Sequence, residues 1–143
     1  METIQANHRM HSVFNIMRIT YAVVPIVAGL DKFTNLLTNW EQYLNPDMAA
    51  MLPFSAHTFM MIVGVIEIAA GLLVLAKPAI GGYVVMAWLS LIAFTLLLSR
   101  DYLDVAVRDL VMAVGAYSLV QIAKAVAKPK TAQQTARGEM AYQ

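Results

Sequence analysis

The feature that most constrains this chain is the stretch between Lys77 and Arg100, in which no residue is charged. A helix needs about 20 residues to cross the ~30 Å hydrocarbon core of a bilayer. Residues 80–98 are therefore predicted to span a membrane. The composition agrees, because 59% of the residues are hydrophobic and only 13% are charged, whereas about half and a quarter are usual in soluble domains.

Three further apolar runs are long enough to span the bilayer: residues 14–30, 58–76 and 105–123. The first contains Arg18 and Pro25, and membrane helices tolerate such a proline where neighbouring groups bind the freed carbonyl. The second carries Glu67 near its centre. We therefore expect an all-α fold, a four-helix transmembrane bundle that occupies residues 1–127.

The connection between the first two spans, residues 31–55, is too long for a tight helical hairpin. It carries apolar side chains at helical spacing on one face: Phe33, Leu36, Leu37, Trp40, Tyr43 and Leu44. Since Trp and Tyr prefer the headgroup level, we predict a short amphipathic interfacial helix that ends at Asn45-Pro46. The polar residues 128–143 are expected to form a disordered cytoplasmic tail.

The positions of lysine and arginine predict the orientation, because cytoplasmic loops carry an excess of both. With both termini inside, the cytoplasmic side receives six basic residues: Arg9, Lys77, Lys124, Lys128, Lys130 and Arg137. The opposite side receives only Lys32 and Arg100. We expect a protein integral to the inner (cytoplasmic) membrane of the cell, with both termini in the cytoplasm.

Four polar side chains lie at similar depth when residues are counted back from the outer ends of the predicted spans, ~15–18 Å at ~1.5 Å per residue: Arg18, Glu67, Trp88 and Tyr117. A charge at mid-bilayer costs at least ~2.5 kcal/mol, so Arg18 and Glu67 are expected to pair. Two interpretations stay open. The layer fixes helix register as a structural ion pair, or it forms a pocket for a polar headgroup such as a quinone, or a proton-handling carboxylate.

A second polar group is predicted at the outer surface: Asp31, Lys32, Arg100, Asp101, Arg108 and Asp109. Opposite charges can pair there, but exposed pairs contribute little to stability, so interfacial anchoring is one interpretation. A docking site for a soluble partner is the other.

Several kinds of site are excluded by residue type or position. The sequence has no cysteine, which excludes thiol catalysis and thiolate metal sites. His57 and the pair His8 and His11 are predicted on opposite sides of the ~30 Å core, which excludes a bis-histidine haem. A net charge of +1 gives no sign of nucleic-acid binding. We expect no metal and no cofactor of its own, and we leave open a quinone or a lipid as a ligand.

Three motifs follow one another on the first, second and fourth spans: Arg18 with Ala28-Gly29-Leu30-Asp31-Lys32, Gly64-Val65-Ile66-Glu67 with Gly71-Leu72-Leu73, and Arg108-Asp109-Leu110. In this order they resemble the DoxX family of small four-helix membrane proteins, over roughly residues 18–117. The resemblance implies an arginine on helix one, a mid-helix glutamate on helix two and an Arg-Asp pair that opens helix four. These features map onto Arg18, Glu67, Arg108 and Asp109.

The resemblance also implies a function, because DoxX proteins are associated with membrane redox systems that include a subunit of a thiosulfate:quinone oxidoreductase. We expect an accessory or structural membrane subunit of a larger respiratory or quinone-linked electron-transfer complex, in contact with lipid and with other membrane subunits. The alternative is a subunit that interacts with quinone directly. A small transporter is less favoured, because the sequence shows neither broken helices nor an inverted repeat.

Overall fold

The computed structural model describes residues 1–127, which form four long helices and a partly helical connection. The elements are α1 Glu2–Thr34, a 3-10 helix Trp40–Tyr43, α2 Pro46–Met51, α3 Ala56–Ala76, α4 Pro78–Ser99 and α5 Leu103–Ala127. The four long helices, α1, α3, α4 and α5, are each long and apolar enough to cross a membrane. The predicted all-α transmembrane bundle is confirmed. The predicted tail, residues 128–143, lies outside the described residues.

Helix α1 is longer than its apolar run. It begins at Glu2, whereas the span was predicted from residue 14, and it continues past Leu30 to Thr34. Asn35 ends the helix in the left-handed conformation, at φ 50°, and its N–H donates to the Asp31 carbonyl. Hydropathy therefore identified the part of α1 that is apolar enough for lipid, and the helix itself extends into polar sequence at both ends.

The connection contains helical segments, as predicted, but they are divided differently. The 3-10 helix covers only Trp40–Tyr43, and α2 follows it. Asn45-Pro46, expected to end a helix, instead begins one. The Asn45 side chain accepts a hydrogen bond from the Asp47 N–H at 2.8 Å, and Pro46 occupies the first helical position. Asparagine is a good N-cap and proline has a suitable φ at the first turn, so the dipeptide also fits a helix start.

The long helices pack as two tight pairs, α1 with α3 and α4 with α5. Small residues permit the first pair, because a methyl group built onto Gly29 would lie 2.5 Å from the Gly64 carbonyl oxygen. A methyl group on Gly71 would lie 2.5 Å from the Ala22 carbonyl oxygen. Gly64 and Gly71 thus allow the backbone of α1 to approach α3, in line with the small residues found where membrane helices cross closely.

The two pairs join mainly at one end of the bundle. We call this the Lys77 end, where Lys77 alone links α3 to α4, and we call the opposite end, with the connection 35–55 and the turn 100–102, the loop end. In the half nearer Lys77, a wholly apolar buried cluster joins all four helices: Ala22, Ala70, Val74, Val85, Ala116 and Leu119. In the half nearer the loop end, the pairs are separated by a cavity.

A candidate ligand-binding cavity

The cavity has a volume of about 660 Å³ and is lined by residues of all four long helices and of the connection. Its walls are mainly apolar, but four charged residues also line it: Lys32, Glu67, Arg108 and Asp109. Small-molecule sites in proteins typically enclose about 300–1,000 Å³ and combine apolar walls with a few polar groups. The size and lining therefore suit a small amphipathic ligand.

The polar centre of the cavity is an ion pair between α1 and α3. Lys32 Nζ lies 2.6 Å from Glu67 Oε2, and both side chains are buried. Trp88 on α4 donates its indole N–H to the other carboxylate oxygen, Glu67 Oε1, at 3.4 Å. Three helices thus meet at one carboxylate. Charges buried to this degree are stable only when paired and hydrogen-bonded, so each partner depends on the others.

The prediction that Arg18 pairs with Glu67 is wrong, because Lys32 is the cation that Glu67 binds. Arg18 donates instead to the carbonyl of Leu75, close to the Lys77 end. The prediction was wrong because counting residues from the outer ends of the two spans assumes that these ends lie at the same depth. Gly29 lies beside Gly64 and Ile68, so Glu67 is level with this part of α1, and Arg18 is about 16 Å further along the helix.

Lys32 was predicted at the surface, yet it is only 4% exposed. Side chains on a helix lean toward its N-terminus, and α1 and α3 run antiparallel. The Lys32 side chain therefore points toward the Lys77 end and the Glu67 side chain toward the loop end, and the two meet beside the Gly29–Gly64 contact. The spacing in the sequence could have indicated this pair. Lys32 follows Gly29 by three positions and Glu67 follows Gly64 by three, so each charged residue lies on the same helix face as its glycine.

The other two residues of the predicted layer, Trp88 and Tyr117, lie in different surroundings. Trp88 does join Glu67, as described above. Tyr117 is 47% exposed and is not among the residues that line the cavity. A tyrosine that does line the cavity is Tyr21 of α1. Its hydroxyl donates a hydrogen bond to the Met112 carbonyl of α5 at 2.8 Å. Tyr21 was not predicted, since an aromatic in an apolar helix carries no particular signal.

Asp31 organises the start of the connection. It is 5% exposed, and its carboxylate accepts hydrogen bonds from the N–H groups of Leu36 and Leu37, at 2.9 and 3.1 Å to one oxygen, and from the Trp40 indole, at 2.7 Å to the other. An Asp that binds the backbone a few residues later stabilises a chain reversal. The Trp40 ring in turn covers Lys32, whose Nζ lies 3.6 Å from the ring centroid, a cation–π arrangement.

The remaining residues of the predicted outer group are divided between cavity and surface. Arg108 contacts Asp104 at 3.3 Å, with both side chains largely exposed. Asp109 lines the cavity together with Glu67 and Lys32. Arg100 and Asp101 are exposed in the α4–α5 turn. The six residues therefore do not form one cluster.

The histidines lie where the sequence placed them relative to the bundle. His57 contacts Glu41 at 3.0 Å at the loop end, whereas His8 and His11 are exposed near the start of α1. Within residues 1–127, no group of three or more histidine and carboxylate side chains is arranged to hold a metal ion.

The chain matches no protein-family model, no curated protein and no solved structure. The resemblance to DoxX proteins therefore rests on the sequence motifs alone.

Proposed function

We propose that this integral membrane protein is a subunit of a quinone-linked electron-transfer system and that its cavity binds the quinone headgroup. The observation that carries the proposal is the cavity itself, an apolar space between helices with the Lys32–Glu67 pair and Trp88 at its polar centre. The DoxX resemblance supports the same assignment, because it implies a membrane redox partner.

The chemistry of a quinone suits this arrangement. Its headgroup is a flat ring with oxygen atoms at opposite edges, and its tail is an isoprenoid chain that partitions into lipid. The cavity offers two indole rings, Trp40 and Trp88, beside charged groups, and apolar side chains such as Leu89 and Ile92 around them. It extends from Met48 in the connection to Ala70 in the middle of α3. A ligand there would lie at the depth of the membrane rather than in water.

The subunit role follows from what the chain would need for electron transfer. A bound quinone must exchange electrons with a second redox group, and the resemblance implies that a partner enzyme carries that group. The long helices expose large apolar side chains on their outer faces, Leu72 and Phe94 among them. Such surfaces can contact lipid or the helices of other subunits. The basic residues of the sequence favour an orientation with the loop end outside the cytoplasm.

Intrinsic fluorescence tests the proposal directly, because the two tryptophans of the chain both line the cavity. The protein is placed in lipid nanodiscs and titrated with a short-chain quinone, decylubiquinone. We expect saturable quenching, since the ligand binds beside both indoles. Glu67→Gln should weaken the binding, whereas the matched control Tyr117→Phe, at an exposed position outside the cavity, should leave it unchanged. Linear quenching without saturation in the native protein would contradict the proposal.

A structural accessory subunit that binds no quinone is the second candidate. The observation that favours it is that Glu67 already has two partners within the bundle, Lys32 and Trp88. In that case the native protein would show no saturable quenching. It would still co-purify with a redox enzyme in mild detergent, and the Glu67→Gln variant would lose the partner together with bundle stability.

A further inference from the structure

Several hydrogen-bond donors around the cavity already bind protein acceptors. The Lys32 ammonium and the Trp88 indole both bind Glu67, and the Trp40 indole binds Asp31. The Tyr21 hydroxyl donates to a backbone carbonyl. A quinone carbonyl, which can only accept hydrogen bonds, would compete with these protein acceptors for the donors.

An acceptor, in contrast, is available. Asp109 is half-buried, lines the cavity and makes no hydrogen bond or ion pair with any residue in the part of the chain that the structure describes. Its neighbour Arg108 contacts Asp104 on the exposed side of α5. Asp109 and Glu67 give the cavity two carboxylates, and Lys32 and Arg108 give it two cations. Glu67 is bound by Lys32 and Trp88, so Asp109 is the carboxylate that a ligand can reach without displacing a protein contact within residues 1–127.

We propose that the cavity selects the reduced ligand, a hydroquinone, over the oxidised quinone, because Asp109 accepts a hydrogen bond from the ligand hydroxyl. This inference rests on the proposed function and identifies the redox form that the site prefers. A hydroquinone donates through both hydroxyls, whereas a quinone has no donor. A site that hydrogen-bonds a ligand hydroxyl discriminates strongly against the analogue that lacks it, because the buried acceptor is then left unpaired.

The test compares decylubiquinol with decylubiquinone on the same nanodisc sample, without oxygen and at about pH 8, well above the usual pKa of a carboxyl group. Tryptophan quenching gives both dissociation constants. We expect the hydroquinone to bind at least about tenfold more tightly, the size of effect that one hydrogen bond to a charged group supplies.

Two variants test whether Asp109 is responsible for the preference for the hydroquinone. Asp109→Asn should abolish the preference, because an amide can donate to the quinone carbonyl, whereas Asp109→Glu keeps the acceptor and should retain it. The matched control is Asp101→Asn, which removes an exposed carboxylate of the α4–α5 turn outside the cavity. A single monodisperse peak in size-exclusion chromatography and retained binding of one ligand form show that a variant is folded.

The outcomes separate this inference from the proposed function. Saturable binding of both forms with equal affinity, or a preference that survives in Asp109→Asn, would overturn the selection by Asp109 and leave the quinone site standing. Absence of saturable binding for both forms would overturn the two together. Saturable binding of decylammonium in place of the hydroquinone would also overturn the inference, since Asp109 would then receive a cation.

Discussion

The two halves of the bundle are built from the same four helices but are held together in different ways. In the half nearer Lys77, alanine, valine and glycine bring the helices into direct contact, and Gly81 of α4 lies against the backbone of Val74 in α3. In the half nearer the loop end, α3 and α4 diverge around a cavity, and the indole of Trp88 reaches across from one helix pair to Glu67 on the other.

The difference shows how a small membrane protein can combine a stable bundle with an internal space. Membrane helices gain little hydrophobic stabilisation from one another, so close van der Waals packing between small residues has to supply stability. The half nearer Lys77 provides that packing between the two helix pairs, whereas in the other half the Gly29–Gly64 contact joins only α1 to α3. The other half is then free to contain charged groups and empty volume, as a binding site requires.

The largest expected effect is on the ion pair of the loop half. Glu67→Ala leaves Lys32 buried without its counter-charge and should lower the free energy of unfolding by about 3–5 kcal/mol. The double change Lys32→Met with Glu67→Leu should cost much less, because no unpaired charge remains. Unfolding in mixed micelles with a rising fraction of a denaturing detergent measures both.

Arg18 supplies the control for that pair. Since it lies about 16 Å along α1 from the level of Glu67, Arg18→Met and Glu67→Ala should be additive within about 0.5 kcal/mol. Strong coupling between Arg18 and Glu67, with none between Lys32 and Glu67, would contradict the pairing described above.

A smaller effect is expected from overpacking the half nearer Lys77. In Gly81→Val the added side chain would collide with the backbone of Val74, and we expect a loss of about 1–3 kcal/mol in the free energy of unfolding. The matched control is Ile80→Val, at the exposed neighbouring position of the same turn. If Gly81→Val were as well tolerated as Ile80→Val, the close contact between α3 and α4 would be wrong.

The smallest effect concerns the exposed ion pair of α5. Asp104→Asn removes the partner of Arg108, but both side chains are largely exposed, so stability should change by less than about 1 kcal/mol. The same unfolding assay measures it. A loss as large as that of Glu67→Ala would mean that Arg108 belongs to the buried polar centre.

The fold followed from the sequence because it depends on the lengths of apolar runs, which need no knowledge of tertiary contacts. The contacts of the site could be predicted from the sequence only in part. Glu67 and Trp88 were correctly placed together, but the relative shift of α1 and α3 is set by the Gly29–Gly64 contact, and counting from helix ends cannot detect it. That shift is what replaces Arg18 by Lys32 as the partner of Glu67.

The cavity was foreseen only as one of two interpretations of the polar layer. Its existence depends on where the helix pairs diverge and on how the connection covers them. Asn45-Pro46 fits both the end and the start of a helix, so the local sequence did not determine the path of the connection. Asp31 fixes that path through bonds to the backbone of Leu36 and Leu37, which no spacing rule predicts.

A quinone bound between the helix pairs should contact residues of both pairs in the half nearer the loop end. The most direct measurement is photolabelling in native membranes with an azidoquinone, followed by mass spectrometry of the labelled peptides. We predict labels on cavity-lining residues such as Met60, Trp88 and Met112, and their loss when excess decylubiquinol competes. Labels confined to exposed residues such as Leu72 and Phe94, unaffected by the competitor, would contradict binding in the cavity.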